Sequence, residues 1–83
     1  MKTIIYTASA AKDLDAIPAG DRETIETALC EYAISGHGDV KSLTNRAGYR
    51  LRIGRYRVIF GEDRTRILAI YIGKRETATY KRN

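Results

Sequence analysis

The sequence has very little of what metal and thiol sites are usually built from. Among its 83 residues there is one cysteine, Cys30, one histidine, His37, and no tryptophan. A lone cysteine cannot form an intramolecular disulfide, so a reducing cytosol is the expected setting. A zinc site of the common kind needs three or four convergent cysteine and histidine ligands. We therefore expect no metal and no other cofactor.

Neither of these two residues is a strong candidate for catalysis. Cys30 lies beside Leu29 in a segment with helical periodicity, which predicts a small buried core residue. His37 lies between two glycines in an expected loop. An imidazole there could act as a base, but a solvated loop residue is the simpler interpretation.

Long hydrophobic runs are also absent. No apolar stretch approaches the roughly 20 residues that a membrane-spanning helix needs. The first six residues are too short and too strand-like for a signal peptide. The length and the ordinary apolar fraction predict one globular domain over residues 1–83. The lone cysteine and the lack of a membrane span or signal peptide predict that it is located in the cytoplasm and does not contact a membrane.

Charge is unevenly distributed along the chain, whose net charge is +5. Residues 1–40 hold three lysines and arginines against seven acids, and residues 41–83 hold twelve against three. This asymmetry predicts one acidic or neutral face and one strongly basic face. Basic faces attract nucleic acid, acidic protein segments or anionic lipid, and the lack of an amphipathic basic helix makes lipid the least favoured of these.

Hydrophobic periodicity predicts a strand at residues 2–6 followed by two helices. Pro18 ends the first helix, because proline cannot continue one. The second helix is predicted from Asp21 to about Ser35, and Gly36 is placed to end it in a left-handed conformation.

Three strands are predicted after a turn-rich segment at residues 37–48. The first two cover residues 49–53 and 56–60. The third, residues 66–72, is a nearly unbroken apolar run, which predicts a central strand buried on both faces.

Residues 49–60 carry four arginines and still alternate polar and apolar residues as a strand does. Arg50 and Arg52 should point to one side of the sheet, away from the core, and Arg57 should join them from the next strand. Arginine offers bidentate geometry matched to phosphate. The pattern therefore predicts a surface that binds anions.

The alternative interpretation is a solvated face whose charges prevent aggregation. Repulsion argues against it, because no acid interrupts residues 40–61 to neutralise the arginines. The face so described would hold four guanidinium groups, those of Arg50, Arg52, Arg57 and Arg75.

The chain resembles the RelE/ParE toxins of bacterial type II toxin–antitoxin systems over essentially its whole length. The resemblance implies an α+β fold in which an antiparallel sheet of about four strands packs against an N-terminal helical hairpin, in agreement with the element order above. It rests on five segments in order: Ala11-Lys12-Asp13-Leu14 closed by Pro18, Lys41-Ser42-Leu43, Tyr49-Arg50-Leu51-Arg52-Ile53-Gly54, Tyr56-Arg57-Val58-Ile59-Phe60, and Ile72-Gly73-Lys74-Arg75 followed by a tyrosine.

For the RelE-like branch the resemblance implies a metal-independent endoribonuclease that cuts mRNA on the ribosome and so inhibits translation. In that reaction a 2′-hydroxyl attacks the adjacent phosphate and the 5′-oxygen leaves, which requires a base, an acid and cations. Carried over by position, Arg57 and Arg75 would stabilise the phosphate and help the leaving group, and Tyr80 would orient or activate the hydroxyl and stack on a base. The residues expected to bind RNA phosphates are Arg50, Arg52, Arg55, Lys74 and Lys81.

The general base is not evident from these residues. Arg50 and Arg52 stand where well-studied relatives carry lysines, and a guanidinium does not give up its proton. Tyr80 or the ribosome is then the expected source of base catalysis.

Two other functions remain open, a ParE-like inhibitor of DNA gyrase without nuclease activity and a detoxified module that only binds an antitoxin. The combination of Gly73-Lys74-Arg75 with Tyr80 favours the RelE-like branch. The implied partners are a cognate antitoxin, in a hetero-oligomer, and the ribosome with its mRNA. An acidic or amphipathic antitoxin segment would cover the apolar groove and the basic face.

Overall fold

Seven helices and strands follow one another along residues 1–74, the part of the chain that the computed structural model describes. The strands form one sheet in the order β1-β5-β4-β3-β2, and both helices contribute to a single core with one face of it. The predicted α+β fold, two N-terminal helices against a sheet, is confirmed. In chain order the elements are β1 (Thr3–Tyr6), α1 (Ala8–Asp15), α2 (Ala19–Ser35), β2 (Asp39–Ser42), β3 (Tyr49–Ile53), β4 (Tyr56–Glu62) and β5 (Arg66–Lys74).

The sheet has five strands where about four were expected, and β1 runs parallel to β5 where an antiparallel sheet was expected. β2 was missed because its sequence is a poor strand former. Of its four residues only Val40 is partly buried, and aspartate, lysine and serine have little β-propensity. Pairing with β3, from Asp39↔Arg52 to Ser42↔Tyr49, holds it in place.

The helices begin and end close to the predicted positions. The Thr7 hydroxyl caps α1 by accepting a hydrogen bond from the backbone N–H of Ala10 at 3.1 Å. Pro18 precedes α2, which starts two residues before the predicted Asp21. Gly36 ends α2 with φ of 80°, as predicted.

The core lies between the helices and the inner face of the sheet, meaning the face that meets the helices. α2 buries Ile25, Leu29 and Ala33, spaced four residues apart along one stripe. Cys30 follows Leu29, about 100° further round the helix, and is exposed. The prediction of a buried cysteine was therefore wrong. The sheet contributes seven buried residues, Leu51, Tyr56, Val58, Phe60, Ile67, Ala69 and Ile72.

β5 is buried on one face only, so the prediction of a doubly buried strand was wrong. Its apolar residues Leu68, Ile70 and Tyr71 are exposed by 39%, 44% and 39%. A β-bulge adds to this exposure, because Ile59 pairs with Tyr71 while Phe60 pairs with Ala69. The consecutive residues Ile70 and Tyr71 are therefore both exposed. No other element within residues 1–74 covers this outer face of the sheet, and no helix there is long and apolar enough to cross a membrane.

Candidate anion-binding cleft on the outer face

The predicted arginine surface lies on the outer face of the sheet. In the register of β3, β4 and β5, Arg52 pairs with Arg57 and Arg57 with Gly73. Directly paired residues point to the same side of a sheet, so Arg52 and Arg57 share the outer face. Arg50 joins them, since it pairs with Ile59 on that side.

A cleft of about 500 Å³ opens beside these arginines. It combines three guanidinium groups with apolar walls and one phenol, and no carboxylate lines it among the described residues. The lining residues are Leu43, Arg46, Ala47, Arg50, Arg57, Ile59, Ile70 and Tyr71. The cleft can therefore bind an anion that also has an apolar or aromatic part.

The loop between β2 and β3 supplies Arg46. A hydrogen bond from Leu43 N–H to the Gly48 carbonyl closes this loop at 3.0 Å. Gly48 has φ of 117°, and a Cβ there would lie 3.3 Å from the carbonyl oxygen of Phe60, so the tight turn requires glycine. Sequence reasoning missed Arg46 because it treated this segment only as a series of turns.

Arg57 differs from the other two arginines of the cleft in one nitrogen atom. Its Nε is buried and has no hydrogen-bond partner among the described residues. A buried N–H without an acceptor is destabilising, and a bound anion would satisfy it. Within residues 1–74, neither Arg50 nor Arg57 forms an ion pair.

Arg52 differs from its neighbours, because it does have a counter-ion. Its Nε donates to Asp39 Oδ2 at 2.8 Å, and the two side chains are 48% and 45% exposed. The expectation that no acid neutralises this surface was wrong for Arg52. Asp39 lies just outside the acid-free stretch of sequence, and β2 brings it alongside.

The other predicted site residues are dispersed or lie outside the described part of the chain. Arg55 is exposed in the turn between β3 and β4. Lys74 pairs with Tyr56, whose side chain is buried on the inner face. The Lys74 side chain therefore leaves the sheet on the face opposite Arg57. Three further residues with predicted roles, Arg75, Tyr80 and Lys81, lie outside the described residues.

Tyr71 is a cleft residue that sequence reasoning did not assign to the site. Its ring folds back over Gly73, where a Cβ would lie 2.7 Å from Tyr71 Cζ and closer still to the hydroxyl. Strict alternation from the buried Ile67 and Ala69 would have placed it on the inner face, and the β-bulge opposite Ile59 and Phe60 turns it outward. The apolar run around it instead suggested a strand buried on both sides.

The remaining polar contacts of the described residues support the fold. The Tyr32 hydroxyl donates to Glu62 Oε2 at 2.8 Å, and Lys2 Nζ lies 2.7 Å from Glu62 Oε1. Burial and the bond to Glu62 raise the pKa of Tyr32 to about 12. A hydrogen bond to Asp21 at 2.9 Å likewise raises the pKa of Tyr56.

No group of three or more histidine, cysteine or acidic side chains within residues 1–74 could hold a metal ion. His37 is exposed, and its backbone N–H donates to Ser35 Oγ at 3.3 Å. The chemistry that the cleft can supply is thus cationic. It can bind a phosphate and stabilise additional negative charge on it.

Comparison with known proteins identifies the fold. No protein-family model and no curated protein matches the sequence, but several solved structures match. The toxin–antitoxin complex RelBE2 from Mycobacterium tuberculosis matches with a TM-score of 0.76 at 24% identity, over 89% of this chain and 98% of that chain. The intact RelBE complex from E. coli gives 0.74 at 19% identity, over 92% and 99%. The YoeB dimer from Staphylococcus aureus gives 0.73 at 20% identity, over 90% and 98%. At these identities the likeness establishes that the chain has a RelE-like fold.

Proposed function

We propose, from the fold shared with RelE and YoeB structures and from the basic cleft, that this protein is the toxin of a type II toxin–antitoxin system and cuts mRNA on the ribosome. The observation that carries this proposal is the unpartnered, buried Nε of Arg57 in a cleft that also contains Arg46 and Arg50. Such a group is poised for a phosphate and has no acid to neutralise it among the described residues.

Arg57 would act on the phosphate that is cleaved. Attack by the neighbouring 2′-hydroxyl places extra negative charge on the non-bridging oxygens as the bond to the 5′-oxygen breaks. A guanidinium held in place before the reaction stabilises that charge without reorganising. Arg50 and Arg46 would hold phosphates of the same strand, since their guanidinium groups can bind phosphate in bidentate fashion.

Proton transfer is assigned to residues beyond the described part of the chain. Tyr80 would orient or activate the attacking hydroxyl, and Arg75 would stabilise charge and assist the leaving oxygen. The arginines of the cleft cannot serve as the base, because guanidinium stays protonated. Cleavage by this chemistry needs no metal ion.

A cognate antitoxin is the proposed protein partner, in a cytoplasmic hetero-oligomer. The similar structures from M. tuberculosis and E. coli are toxin–antitoxin complexes. Beyond the arginines, the outer face continues to Ile5 and Leu68, which pair with each other. These two apolar residues line a second cleft of about 370 Å³, whose other lining residues are Gly61, Glu62, Asp63 and Arg66. An amphipathic antitoxin segment with acidic residues would match both parts of this surface.

Primer extension on ribosomes programmed with a defined mRNA tests the proposed activity. We expect the protein to cut the mRNA in the A-site codon, and Arg57→Ala to slow the cut by about 100-fold or more. Arg64→Ala is the matched control, because Arg64 is exposed in the turn between β4 and β5 and does not line the cleft.

Two results would contradict the nuclease proposal, and a third would contradict its location in the cleft. Absence of A-site cleavage combined with loss of supercoiling by purified gyrase would assign the protein to the ParE-like alternative. Normal growth on induction without an antitoxin would indicate a module that only binds its partner. Full cleavage by Arg57→Ala would show that the cleft is not the active site.

A further inference from the structure

Tyr71 is the only aromatic side chain that lines the cleft among the described residues. It is 39% exposed, and its hydroxyl has no hydrogen-bond partner within residues 1–74. Two other tyrosines use their hydroxyls to join elements, Tyr32 to Glu62 and Tyr56 to Asp21. Tyr71 makes no such link, so its ring and hydroxyl are both available to a ligand.

Gly73 fixes where this ring lies. The hydroxyl end of Tyr71 occupies the space that a side chain at position 73 would fill. Gly73 in turn pairs with Arg57 across β4 and β5, and the Cα atoms of such pairs are about 5 Å apart. The absence of a side chain at position 73 therefore lets the phenol lie low on the sheet beside Arg57.

We infer that Tyr71 forms a nucleobase-stacking subsite next to the phosphate held by Arg57. This inference rests on the proposed function, because a base is present in the cleft only if the ligand is a nucleic acid. A nucleotide joins a charged phosphate to a flat aromatic base through one sugar. The cleft offers a matching pair, a guanidinium and an aromatic ring on neighbouring strands.

Stacking on an aromatic side chain accepts any base, because every base has a π-face. Tyr71 would therefore position the strand for cleavage without reading its sequence. The expected contribution to binding is about 5- to 150-fold for one base. The ring provides it, and the hydroxyl is not required.

Three variants separate the ring from its placement. Tyr71→Phe keeps the ring, Tyr71→Leu keeps apolar bulk without a flat aromatic face, and Gly73→Ala keeps the tyrosine but displaces its tip. The control is Ile34→Ala, which removes apolar surface from α2, where Ile34 is 64% exposed. Circular dichroism and thermal unfolding establish that each variant is folded.

Binding is measured on ribosomes programmed with an mRNA whose A-site codon carries 2′-deoxy nucleotides and so cannot be cut. A dye on Cys30, which is exposed on α2 and remote from the outer face, reports binding by fluorescence anisotropy. Each base of the codon is removed in turn by an abasic nucleotide. Cleavage of the all-ribose mRNA is measured in parallel.

For one abasic position we expect the wild-type protein and Tyr71→Phe to lose about 5- to 150-fold in affinity. Tyr71→Leu and Gly73→Ala should already bind the intact mRNA more weakly and should not respond further to that abasic position. The inference is overturned if Tyr71→Leu responds to every abasic position as the wild-type protein does.

The two readouts separate failure of the subsite from failure of the proposed function. If the wild-type protein cleaves mRNA but the loss of affinity at abasic positions does not depend on Tyr71, only the proposed stacking subsite is contradicted. If the protein binds, and the loss of affinity at an abasic position depends on Tyr71, but no cleavage occurs, the nuclease proposal is contradicted and the stacking subsite is supported. Neither binding nor cleavage would overturn both.

Discussion

Asp39 and Arg52 face each other across β2 and β3, with 2.8 Å between the carboxylate Oδ2 and the guanidinium Nε. This ion pair divides the arginines of the outer face into two kinds. Arg52 has a counter-ion, whereas Arg50 and Arg57 have none among the described residues. The distinction leads to opposite expectations for residues that look equivalent in the sequence.

Arg57→Ala should reduce the rate of mRNA cleavage by about 100-fold or more, because it removes a preorganised donor to the reacting phosphate. Arg52→Ala should reduce it far less, since Arg52 does not line the cleft and is already paired. Single-turnover cleavage on programmed ribosomes measures both rates. Equal losses in the two variants would show that position on the outer face, and not an unpaired charge in the cleft, determines activity.

Asp39→Asn should strengthen RNA binding by about two- to fivefold, because it frees Arg52 from an exposed ion pair of modest strength. The affinity should also become more sensitive to salt. Titration of the noncleavable mRNA complex at several KCl concentrations measures both effects. Asp15→Asn makes the same charge change at the end of α1 and serves as the control. If Asp15→Asn strengthens RNA binding as much as Asp39→Asn does, net charge alone explains the gain in affinity.

Stability in acid should depend on Asp63 in the turn between β4 and β5. Backbone N–H groups of Thr65 and Arg66 donate to its carboxylate at 2.9 and 2.8 Å, and together with the Arg66 side chain they lower the pKa of Asp63 from 3.8 to about 2. A depressed folded-state pKa stabilises the fold above pH 3.8, and this stabilisation is lost as pH falls towards 2.

Asp63→Asn should therefore be less stable than the wild-type protein at pH 6, with the difference shrinking between pH 4 and about 2. Urea unfolding at a series of pH values measures it. A difference that stays constant over this range would mean that the charge of Asp63 does not stabilise the turn.

Thr7→Ala should lower the free energy of unfolding by about 1 kcal/mol, because it removes the N-cap of α1. The same hydroxyl lies 3.3 Å from the carbonyl oxygen of Ile70 on β5. Thr24→Ala, within α2, is the matched control, since its hydroxyl bonds only the preceding turn of its own helix and alanine favours a helix. Chemical denaturation that shows equal losses for both variants would contradict the capping role.

The parts of the fold that follow from local periodicity could be predicted from the sequence. Hydrophobic periodicity predicted both helices, and alternation along β3 and β4 placed Arg50 and Arg57 on the outer face. These elements carry their own pattern, so no knowledge of neighbouring elements is needed to orient them.

The remaining features depend on what lies next to each element, which the sequence does not state. β2 exists because β3 is available to pair with it, and that pairing brings Asp39 to Arg52. The apolar residues Leu68 and Ile70 suggest burial, yet no element of residues 1–74 covers them. Tyr71 lies in the cleft because the β-bulge of β5 turns it to this same uncovered face.

The parallel pairing of β1 with β5 has a consequence for synthesis. Thr3 pairs with Arg66 and Tyr6 with Ala69. The first strand of the described chain therefore pairs with the last one. β5 also supplies Ile70 and Tyr71 to the cleft. Until β5 emerges from the ribosomal exit tunnel, β1 has no strand to pair with and the cleft is incomplete. Under the proposed function, a nascent chain from which β5 has not yet emerged therefore has no complete site for an mRNA.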